Sequence, residues 1–574
     1  MNPDEPTHFN ALIAGTGLQE SILAAALSKS GYSVLQLDPA PYYGSEHASL
    51  SLNELTEWAQ QTHGVVASPS SPPDHLVRLS QRFAISLFPM LLRAKGEGIA
   101  LLVRSKVATY LQFGLLGGVG LWRKGVDGQG KVERVPASKA DVFNDQTLSL
   151  VEKRRLTKLL LFAAGPEPLE EDKVLVEDPD MTFIDYLKKA YSLTGPTADS
   201  LAYALALSSS ISDPVLSALR RIRSTIHAVG RYGPSPYLVG HYGGAGDLVG
   251  GFSRICAVWG GGQILGRPLG PLEFSPPAGT PVPPSQPPFM VHENPPPPPA
   301  SPNSSSSSEQ ATTRPLGIPI TLEEGGPPTM FTGDWVVASP SLLSTLFPST
   351  TVSDDAMCPR SVHLIAILPS PVAFPPPREA RGPDEGDEPD SNLFVFPPRS
   401  LNSEVGTVTA LQVGKGTMSC PEGCHILYLS ATLIASPSGD ASSPASALLK
   451  PYLDSLLSLS PASASSSTSA TTVEAEVRSS HDSSIEPLYT VSYFSPLASY
   501  PASTPSPPSP FPANFLLTPS LPSAHASHAL VDSLDEVVPL VKEVFWKIVG
   551  EQGRKEGVEF FRQEIASRGE DGDE

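Results

Sequence analysis

A glycine-rich turn near the start of the chain has the residue types that hold the phosphates of a dinucleotide. Gly15 and Gly17 follow a short apolar run, and Asp38 comes directly after the next one. Such glycines let the backbone approach a pyrophosphate, and an acidic residue after the second strand binds ribose. Where a third glycine is usual the chain has Glu20, whose carboxylate would repel phosphate from the helix N-terminus. We therefore interpret the turn as a vestigial site without a cofactor; a working flavin or NAD site is the alternative.

The segments around this turn predict a strand–helix–strand opening. Residues 9–14 are an apolar run, residues 19–30 have apolar positions at helical spacing, and residues 33–37 form a second run. Further along, the pattern predicts helices over residues 83–94, 98–111, 150–164, 182–191 and 197–229, strands over residues 335–338, 362–368, 407–413 and 425–431, and a final amphipathic helix that includes Leu534 to Ile548 or begins at Pro539.

The remaining polar residues form no recognisable catalytic group. His227, His241 and His425 are isolated, and the motifs of serine hydrolases, P-loop proteins and zinc peptidases are missing from the sequence. Cys420 and Cys424 could supply half of a zinc site, but the sequence has no second pair at matching spacing. We predict no metal site and no catalytic residue, which favours a binding protein on an enzyme-like fold.

Composition limits the function classes further. The 574 residues include 63 Pro, of which 16 fall in residues 271–320, and such a density prevents helices and sheets because Pro lacks an N–H donor. The net charge of −20 argues against nucleic-acid binding and stable binding to anionic membranes. No signal peptide and no apolar run long enough to span a membrane is present in the sequence. We predict a cytosolic protein that contacts membranes only transiently.

Two stretches could form exposed contact surfaces, and for each the residue types leave two interpretations open. Tyr42 and Tyr43, in the turn after Asp38, offer amphipathic contact area or pack down on their own loop. The glycines between Gly243 and Gly262 either allow a helix to approach a sheet closely or form a flat exposed surface.

Three blocks of sequence resemble the Rab escort protein and Rab GDP dissociation inhibitor family. They are residues 11–53 (beginning ALIAGTGLQES), residues 101–160 (with LLVRSKVATYLQF and VPASKADVFNDQTLSLVEKRRLTKLL) and residues 227–269 (with GHYGGAGDLVGGFSRICAVWGGG). Their order and spacing are far more specific than a single glycine motif, although they cover only about a quarter of the chain.

The resemblance implies an α/β fold similar to flavin monooxygenases, with the cofactor site not used and a small helical domain inserted. The expected division is a sheet domain over residues 8–139, a helical domain over 140–228, a platform segment over 229–270, a disordered Pro/Ser-rich insert over 271–320, the rest of the sheet domain over 321–495 with inserts at 370–392 and 459–471, a Pro/Ser-rich linker over 496–528, and a C-terminal helix with an acidic tail over 529–574.

The Ala-Asp-Val-Phe element ending at Phe143 and the long inserts resemble the escort branch. Escort proteins bind newly made Rab GTPases in the GDP form and present them to the Rab geranylgeranyltransferase heterodimer. They then shield the geranylgeranyl lipid and deliver prenylated Rab to a membrane, and the transferase does the chemistry. The alternatives are a GDP dissociation inhibitor that recycles prenylated Rabs and, more remotely, a flavoprotein oxidoreductase.

Two binding surfaces follow from the resemblance, position by position. The first, called the platform below, consists of Tyr43, Asp247, Arg254 and Ile264 and would bind Rab. The family usually has Glu at position 247 and often Met at position 264, so the contact of the shorter Asp247 with Rab would be longer or bridged by water.

The second surface would bind the transferase through Phe143 and Arg154, which have the eleven-residue spacing of the escort branch. An aromatic anchor with an arginine is a common hot-spot composition. The alternative for Phe143 is a core position at the entry of a helix.

Overall fold

A computed structural model describes residues 6–125, 130–136, 148–274, 315–323, 325–348, 361–376, 389–434, 444–459, 485–495, 511–523 and 526–562. Phe143, the acidic tail and most of the Pro/Ser-rich stretches lie outside these residues. No helix in the described part of the chain has the length and apolar character needed to cross a bilayer.

The strands, in chain order, are β1 His8–Ala14, β2 Val34–Asp38, β3 Ser49–Leu50, β4 Val66–Ser68, β5 Ile85–Ser86, β6 Leu91–Arg93, β7 Phe113–Leu115, β8 Gly118–Lys124, β9 Gly130–Arg134, β10 Tyr237–Gly240, β11 Gly262–Leu265, β12 Glu273–Phe274, β13 Leu316–Ile320, β14 Thr329–Ala338, β15 Ser361–Leu368, β16 Asn392–Phe396, β17 Val405–Val413, β18 His425–Leu433, β19 Tyr489–Ser495 and β20 Phe515–Leu517.

The α-helices are α1 Leu18–Lys29, α2 Leu52–Gln61, α3 Asp74–Val77, α4 Glu97–Ser105, α5 Leu150–Ala164, α6 Lys173–Glu177, α7 Phe183–Tyr191, α8 Gly195–Asp199, α9 Val215–Ala228, α10 Ala245–Val258, α11 Leu343–Leu346, α12 Ala445–Leu457 and α13 Ala529–Lys555. A π-helical turn, Ser200–Leu205, continues α8.

The predicted strand–helix–strand opening is confirmed. In the described residues, β1 pairs in parallel with β2 on one side and β14 on the other, within a sheet ordered β11-β2-β1-β14-β13-β12, and β20 also pairs with β14. The helices α1, α10 and α13 pack together on one face through buried residues such as Leu23, Phe252 and Phe545. Parallel strands covered by helices are typical of a dinucleotide-binding fold.

A second sheet has core clusters on both of its faces. Its strand order in the described residues is β4-β19-β15-β18-β17-β16-β8-β9. One face packs on α12. Residues of the opposite face share a core cluster with the helices between Leu150 and Ala228, where Tyr186, Leu187 and Leu219 are fully buried. The predicted helices over 150–164 and 182–191 are confirmed, and Ser149 and Thr182 cap them. The domain boundaries themselves stay predictions.

Some sequence expectations are wrong. Residues 83–94 form β5 and β6 and not a helix, because Pro89 interrupts the apolar pattern and residues 91–93 pair with residues 237–239 of β10. By contrast, one of the two alternatives for the final helix is confirmed, since the helix begins at Ala529 and passes through Pro539.

Two stretches assigned to insert or linker contain paired backbone. Residues 316–320 at the end of the Pro-rich insert form β13, since Pro319 lies in an edge region of the sheet beside short β12. Residues 515–517 of the predicted linker form β20 on β14. In both cases hydrogen bonds to distant strands outweigh the local composition.

Candidate functional site

Glu20 fills the space above the glycine turn with its own side chain. Helix α1 begins at Leu18, so the Glu20 carboxylate folds back over the helix N-terminus. A Cβ atom added at Gly17 would lie 2.5 Å from Glu20 Oε2. Thr518, which follows β20, donates a hydrogen bond of 2.6 Å to Glu20 Oε1. Burial raises the pKa of the Glu20 carboxyl from 4.5 to about 7, although the Thr518 hydrogen bond opposes this shift.

Asp38 is satisfied by the chain itself. Its Oδ2 accepts hydrogen bonds from the Thr16 amide (2.9 Å), the Thr16 hydroxyl (2.7 Å) and the Ser45 hydroxyl (2.8 Å). Its Oδ1 accepts from the Ala40 amide at 2.9 Å. An Asp that receives four donors has little capacity left for the hydroxyls of a ribose. Its role is to fix the loop that leads from β2 to Tyr43.

These contacts decide whether a flavin or NAD would fit. The phosphates would meet the Glu20 carboxylate at the helix N-terminus, and the ribose would compete with donors already bound to Asp38. The residues present therefore do not fit a dinucleotide. We call this turn (Gly15, Gly17, Glu20 and Asp38) the closed turn. The carboxyl groups of Glu20 and Asp38 bond to the chain itself and stabilise its fold.

The platform residues come from the loop after β2, from α10 and from β11. Gln263 on β11 forms hydrogen bonds to the other two elements. Tyr43, in the loop after β2, donates a hydrogen bond of 3.0 Å to Gln263 Oε1. The Gln263 side-chain amide donates to the Ser253 carbonyl of α10 at 3.3 Å. Tyr43 remains 39% exposed, whereas Tyr42 is partly buried against the core. Each of the two interpretations therefore holds for one tyrosine: Tyr42 packs against the core, and Tyr43 stays at the surface.

Asp247 and Arg254 lie seven residues apart on α10, which puts them on one face, about 10 Å apart along the axis. Within the described residues the Asp247 side chain forms no hydrogen bond or ion pair, and desolvation raises the pKa of its carboxyl to about 6. Arg254 is exposed and contacts no described carboxylate. A carboxylate and a guanidinium on one helix face that form no hydrogen bond or ion pair with the described residues suit a partner protein with complementary charges.

Close packing explains most of the glycines before and within α10. Gly243 and Gly246 leave no room for a side chain, because an added Cβ would collide with Ser49. The Ser49 hydroxyl accepts a hydrogen bond of 3.2 Å from the Gly246 amide. The first of the two interpretations, close approach of a helix, therefore holds at these two positions. It brings the start of α10 next to the loop that carries Tyr43.

Ile264 does not lie with the other platform residues. On β11 it pairs with Leu37 and is partly buried against the core cluster that contains Leu35 and Leu37. Its neighbour Gln263 points towards α10, and successive strand residues face opposite sides of a sheet. Ile264 therefore does not share the face of Asp247 and Arg254, and its role in binding stays a prediction.

Of the predicted transferase-binding pair, Phe143 lies outside the described residues, and Arg154 is on α5. A capping box of Ser149 and Glu152 starts this helix. Arg154 is exposed and makes no contact with a described carboxylate or carbonyl, whereas Arg155 donates to the Ser192 carbonyl at 3.1 Å. The exposed end of α5 also carries Leu150, which is 84% exposed. Arg154 is thus the arginine of the two that is free to meet a partner.

Most of the possible metal ligands are protonated or bonded to other residues. Burial raises the pKa of the Cys420 thiol to about 12, which disfavours the thiolate that a metal needs. Among the described residues, His528, Asp532 and Glu536 bring ligand atoms within 4.8 Å of one another. However, Asp532 pairs with Arg93, and Glu536 accepts two hydrogen bonds from Ser523. We assign no metal to either group.

Sequence reasoning missed Gln263, Thr518 and Tyr110. Gln263 lies within the third block of resemblance, but nothing in its type marks it as a link between strand and helix. Thr518 lies 498 residues from Glu20, so no local pattern could pair them. Tyr110, in the second block, lies under the Arg254 guanidinium, with 4.4 Å between Arg254 Cζ and the ring centroid.

Comparison with known proteins confirms the family resemblance. Residues 4–277 match the family model described as GDP dissociation inhibitor. A Saccharomyces cerevisiae protein named Rab proteins geranylgeranyltransferase component A is 28% identical over 438 residues, which are 74% of this chain and 62% of that protein. The Drosophila melanogaster protein of the same name is 32% identical over 288 residues, 46% of this chain and 54% of that protein. The chain thus matches less than two thirds of either relative's length.

Solved structures agree on the fold. The crystal structure of a Rab GDI from Plasmodium falciparum matches 95% of this chain and 99% of its own, with a TM-score of 0.59 and 20% identity. An oxidoreductase from Methanosarcina mazei matches 93% and 99%, with a TM-score of 0.53 and 13% identity. The predicted α/β fold, similar to flavin-dependent oxidoreductases, is confirmed.

Proposed function

The chain carries a GDP dissociation inhibitor family domain in residues 4–277, and we propose that it is a Rab escort protein. In this role it binds newly made Rab GTPases in the GDP form and presents them to Rab geranylgeranyltransferase. It then delivers the prenylated Rab from the cytosol to a membrane, with only transient membrane contact. The transferase performs the chemistry, so this chain acts as an accessory subunit and not as an enzyme.

The observation that carries the proposal is the pair Asp247 and Arg254 on one face of α10, whose side chains form no hydrogen bond or ion pair with the described residues. A half-buried carboxylate whose pKa is raised by desolvation gains free energy when a partner supplies a cation. The exposed Arg254 has donors for a partner's carboxylate. Tyr43, held by Gln263, adds aromatic contact area beside them. An aromatic residue, an arginine and a complementary charge are the composition of a protein-binding hot spot.

The escort role needs a second surface, for the transferase. Arg154 supports that surface because it is exposed and has no partner among the described residues, and its spacing from Phe143 in the sequence supports it too. The names of the curated relatives, component A of the Rab geranylgeranyltransferase, support the same role. Arg154 and Phe143 are therefore the proposed transferase contacts.

Lipid shielding is the third part of the role. Each buried CH₂ of a geranylgeranyl chain contributes about 0.8 kcal/mol, so covering even part of the lipid stabilises the complex by several kcal/mol. The helices between Leu150 and Ala228, which form a compact group beside the second sheet, are the proposed location of the lipid. The prenylated Rab would then bind at two places, the platform and the helical group.

A Rab GDP dissociation inhibitor is the second candidate, favoured by the family match itself. Such a protein would bind prenylated Rab without the transferase. A flavoprotein is disfavoured, because Glu20 and Thr518 fill the phosphate position. A flavin absorption band in the purified protein would contradict both Rab-binding candidates.

The deciding experiment measures binding of purified Rab–GDP and Rab–GTP to the full chain, with and without the transferase, followed by a prenylation assay. An escort protein binds unprenylated Rab–GDP in preference to Rab–GTP, forms a ternary complex with the transferase and supports lipid transfer. Binding to prenylated Rab alone, with no support of lipid transfer, would establish the inhibitor in its place. No Rab binding in either form would refute both.

A further inference from the structure

The Arg254 guanidinium has one contact that explains its orientation, the ring of Tyr110. The distance from Arg254 Cζ to the ring centroid is 4.4 Å, which is a cation–π contact. Within the described residues Arg254 forms no hydrogen bond or ion pair. Tyr110 is 41% exposed, so the stacked pair lies at the surface. The aromatic ring therefore sets the direction in which the guanidinium points.

The backbone under Tyr110 is fixed on both sides. Tyr110 follows a short 3-10 turn, Val107–Thr109, and Val107 is fully buried. The next residue, Leu111, is 9% exposed. Lys106, in the left-handed region with φ of 66°, separates this turn from α4. With buried residues before and after it, Tyr110 cannot move far from its position.

Gly251 brings this turn close to α10. It lies three residues before Arg254, on the neighbouring turn of the same helix face. A Cβ atom added at Gly251 would lie 2.7 Å from Val107 Cγ1, too close for any side chain. The absence of a side chain at Gly251 therefore lets Val107 pack on the helix, and this packing carries Tyr110 over Arg254. The stacked pair is a consequence of the fold and not of a flexible surface contact.

We propose that Tyr110 belongs to the platform as the residue that positions Arg254 for an acidic side chain of the bound GTPase. This inference rests on the proposed function. Stacking covers one face of the guanidinium and leaves its in-plane N–H donors available for a carboxylate. Holding Arg254 in place before binding reduces the side-chain entropy that is lost when the complex forms.

The test measures the Kd of the full chain for Rab–GDP with three substitutions of Tyr110. Tyr110→Phe keeps the aromatic face and should bind within about twofold of the parent. Tyr110→Ala and Tyr110→Leu remove the aromatic face, and both should weaken binding roughly three- to tenfold. In the background of Arg254→Ala, the Tyr110→Ala substitution should have almost no further effect, because the residue it positions is gone.

Tyr232→Ala is the matched control. Tyr232 is 51% exposed and lies beside Arg231, with 5.8 Å between Arg231 Cζ and the ring centroid, but neither residue belongs to the platform. This variant should bind like the parent, and thermal unfolding should show all variants to be folded.

Three outcomes would overturn the inference while the parent still binds Rab–GDP. Tyr110→Leu or Tyr110→Ala could bind like the parent while Arg254→Ala binds weakly, which would leave the proposed function intact. Tyr110→Phe could be as weak as Tyr110→Ala, which would mean that the hydroxyl acts and not the ring face. Full additivity of Tyr110→Ala and Arg254→Ala would mean that the residues act independently. If the parent itself fails to bind Rab–GDP, the proposed function fails, and this inference with it.

Discussion

The closed turn and the platform use similar residues for opposite purposes. At the closed turn, Asp38 accepts four hydrogen bonds from its own chain and Glu20 is bonded to Thr518. On the platform, Asp247 has no partner among the described residues, and Arg254 has only an aromatic ring. Both regions lie at elements next to β2. In this account, the lack of a hydrogen-bond or ion-pair partner among the described residues, and not the mere presence of a polar group, distinguishes the proposed binding site from the closed turn.

The largest expected effect is at the proposed transferase surface. Arg154 and Arg155 repeat there the contrast between a side chain without a partner among the described residues and one with a partner. Arg154→Ala and Phe143→Ala should each weaken assembly with the transferase by about 2 kcal/mol or more, since a truncated hot spot commonly costs that much. Rab–GDP binding should be unchanged. The measurement is a titration of the transferase into the preformed complex with Rab, together with lipid transfer.

Arg155→Ala is the control for that experiment. Arg155 already donates to the Ser192 carbonyl, so its loss should affect assembly much less. If Arg155→Ala and Arg154→Ala are equally damaging, or if Phe143→Ala unfolds the protein, the transferase surface is misassigned.

The next effect concerns Tyr43. Tyr43→Ala removes an exposed aromatic ring and leaves Gln263 without one of its hydrogen bonds. We expect Rab–GDP binding to weaken by about 1–3 kcal/mol, with the free energy of unfolding changed far less. Tyr43→Phe keeps the ring and loses only the hydrogen bond, so it should lie between the parent and Tyr43→Ala. Isothermal calorimetry and chemical denaturation measure the two quantities, and a large loss of stability without a loss of affinity would contradict this role.

We expect Asp247 to make Rab binding at the platform dependent on pH. Burial raises the pKa of its carboxyl to about 6. If the partner supplies a cation to the carboxylate, binding is strongest above this pKa and weakens as the pH falls through 6, because the group must lose its proton to bind. Asp247→Asn should bind more weakly at pH 7.5 and should lose the part of the pH dependence that belongs to this group. A parent and an Asn variant with parallel pH profiles of Kd would show that Asp247 does not act as a charge.

The smallest effect on Rab binding is expected at the closed turn, where Glu20 acts on stability instead. The pKa of Glu20 is raised from 4.5 to about 7 in the folded protein. The folded state therefore binds this proton more tightly than the unfolded state, and the stabilisation is present at low pH and is lost as the pH rises from about 4.5 to 7. Glu20→Gln should flatten this part of the profile of unfolding free energy against pH, with Rab affinity unchanged. An unchanged slope would mean that Glu20 is ionised in the fold.

Elements determined by local sequence could be predicted, and those determined by pairing with distant strands could not. Local patterns were sufficient for β1, α1, β2 and α5, because apolar periodicity and capping residues act over a few positions. They were insufficient for residues 83–94, where pairing with β10 more than a hundred residues away decides the structure. The position of Glu20 at the start of α1 could be predicted from its place in the turn, whereas its repulsion of phosphate stays a prediction.

The partners of these residues could not be predicted in the same way. Thr518 comes from a Pro- and Ser-rich stretch, and Tyr110 reaches Arg254 only because Gly251 permits close packing. The platform positions themselves came from the family resemblance. Only the structure shows that Gln263 connects three of the elements and that Ile264 faces away from α10.

The most direct test of the account measures two variants in the same two assays, affinity for Rab–GDP and free energy of unfolding. Arg254→Ala removes a group that has no polar partner among the described residues, and Thr518→Val removes a hydrogen-bond partner of Glu20. We predict that Arg254→Ala weakens Rab binding by about 1–3 kcal/mol with little change in stability. Thr518→Val should lower stability by about 1–3 kcal/mol, because the Glu20 carboxyl loses a hydrogen bond, and should leave Rab affinity within about twofold. If Arg254→Ala binds Rab–GDP as tightly as the parent, the central claim that this face is the Rab-binding surface is wrong.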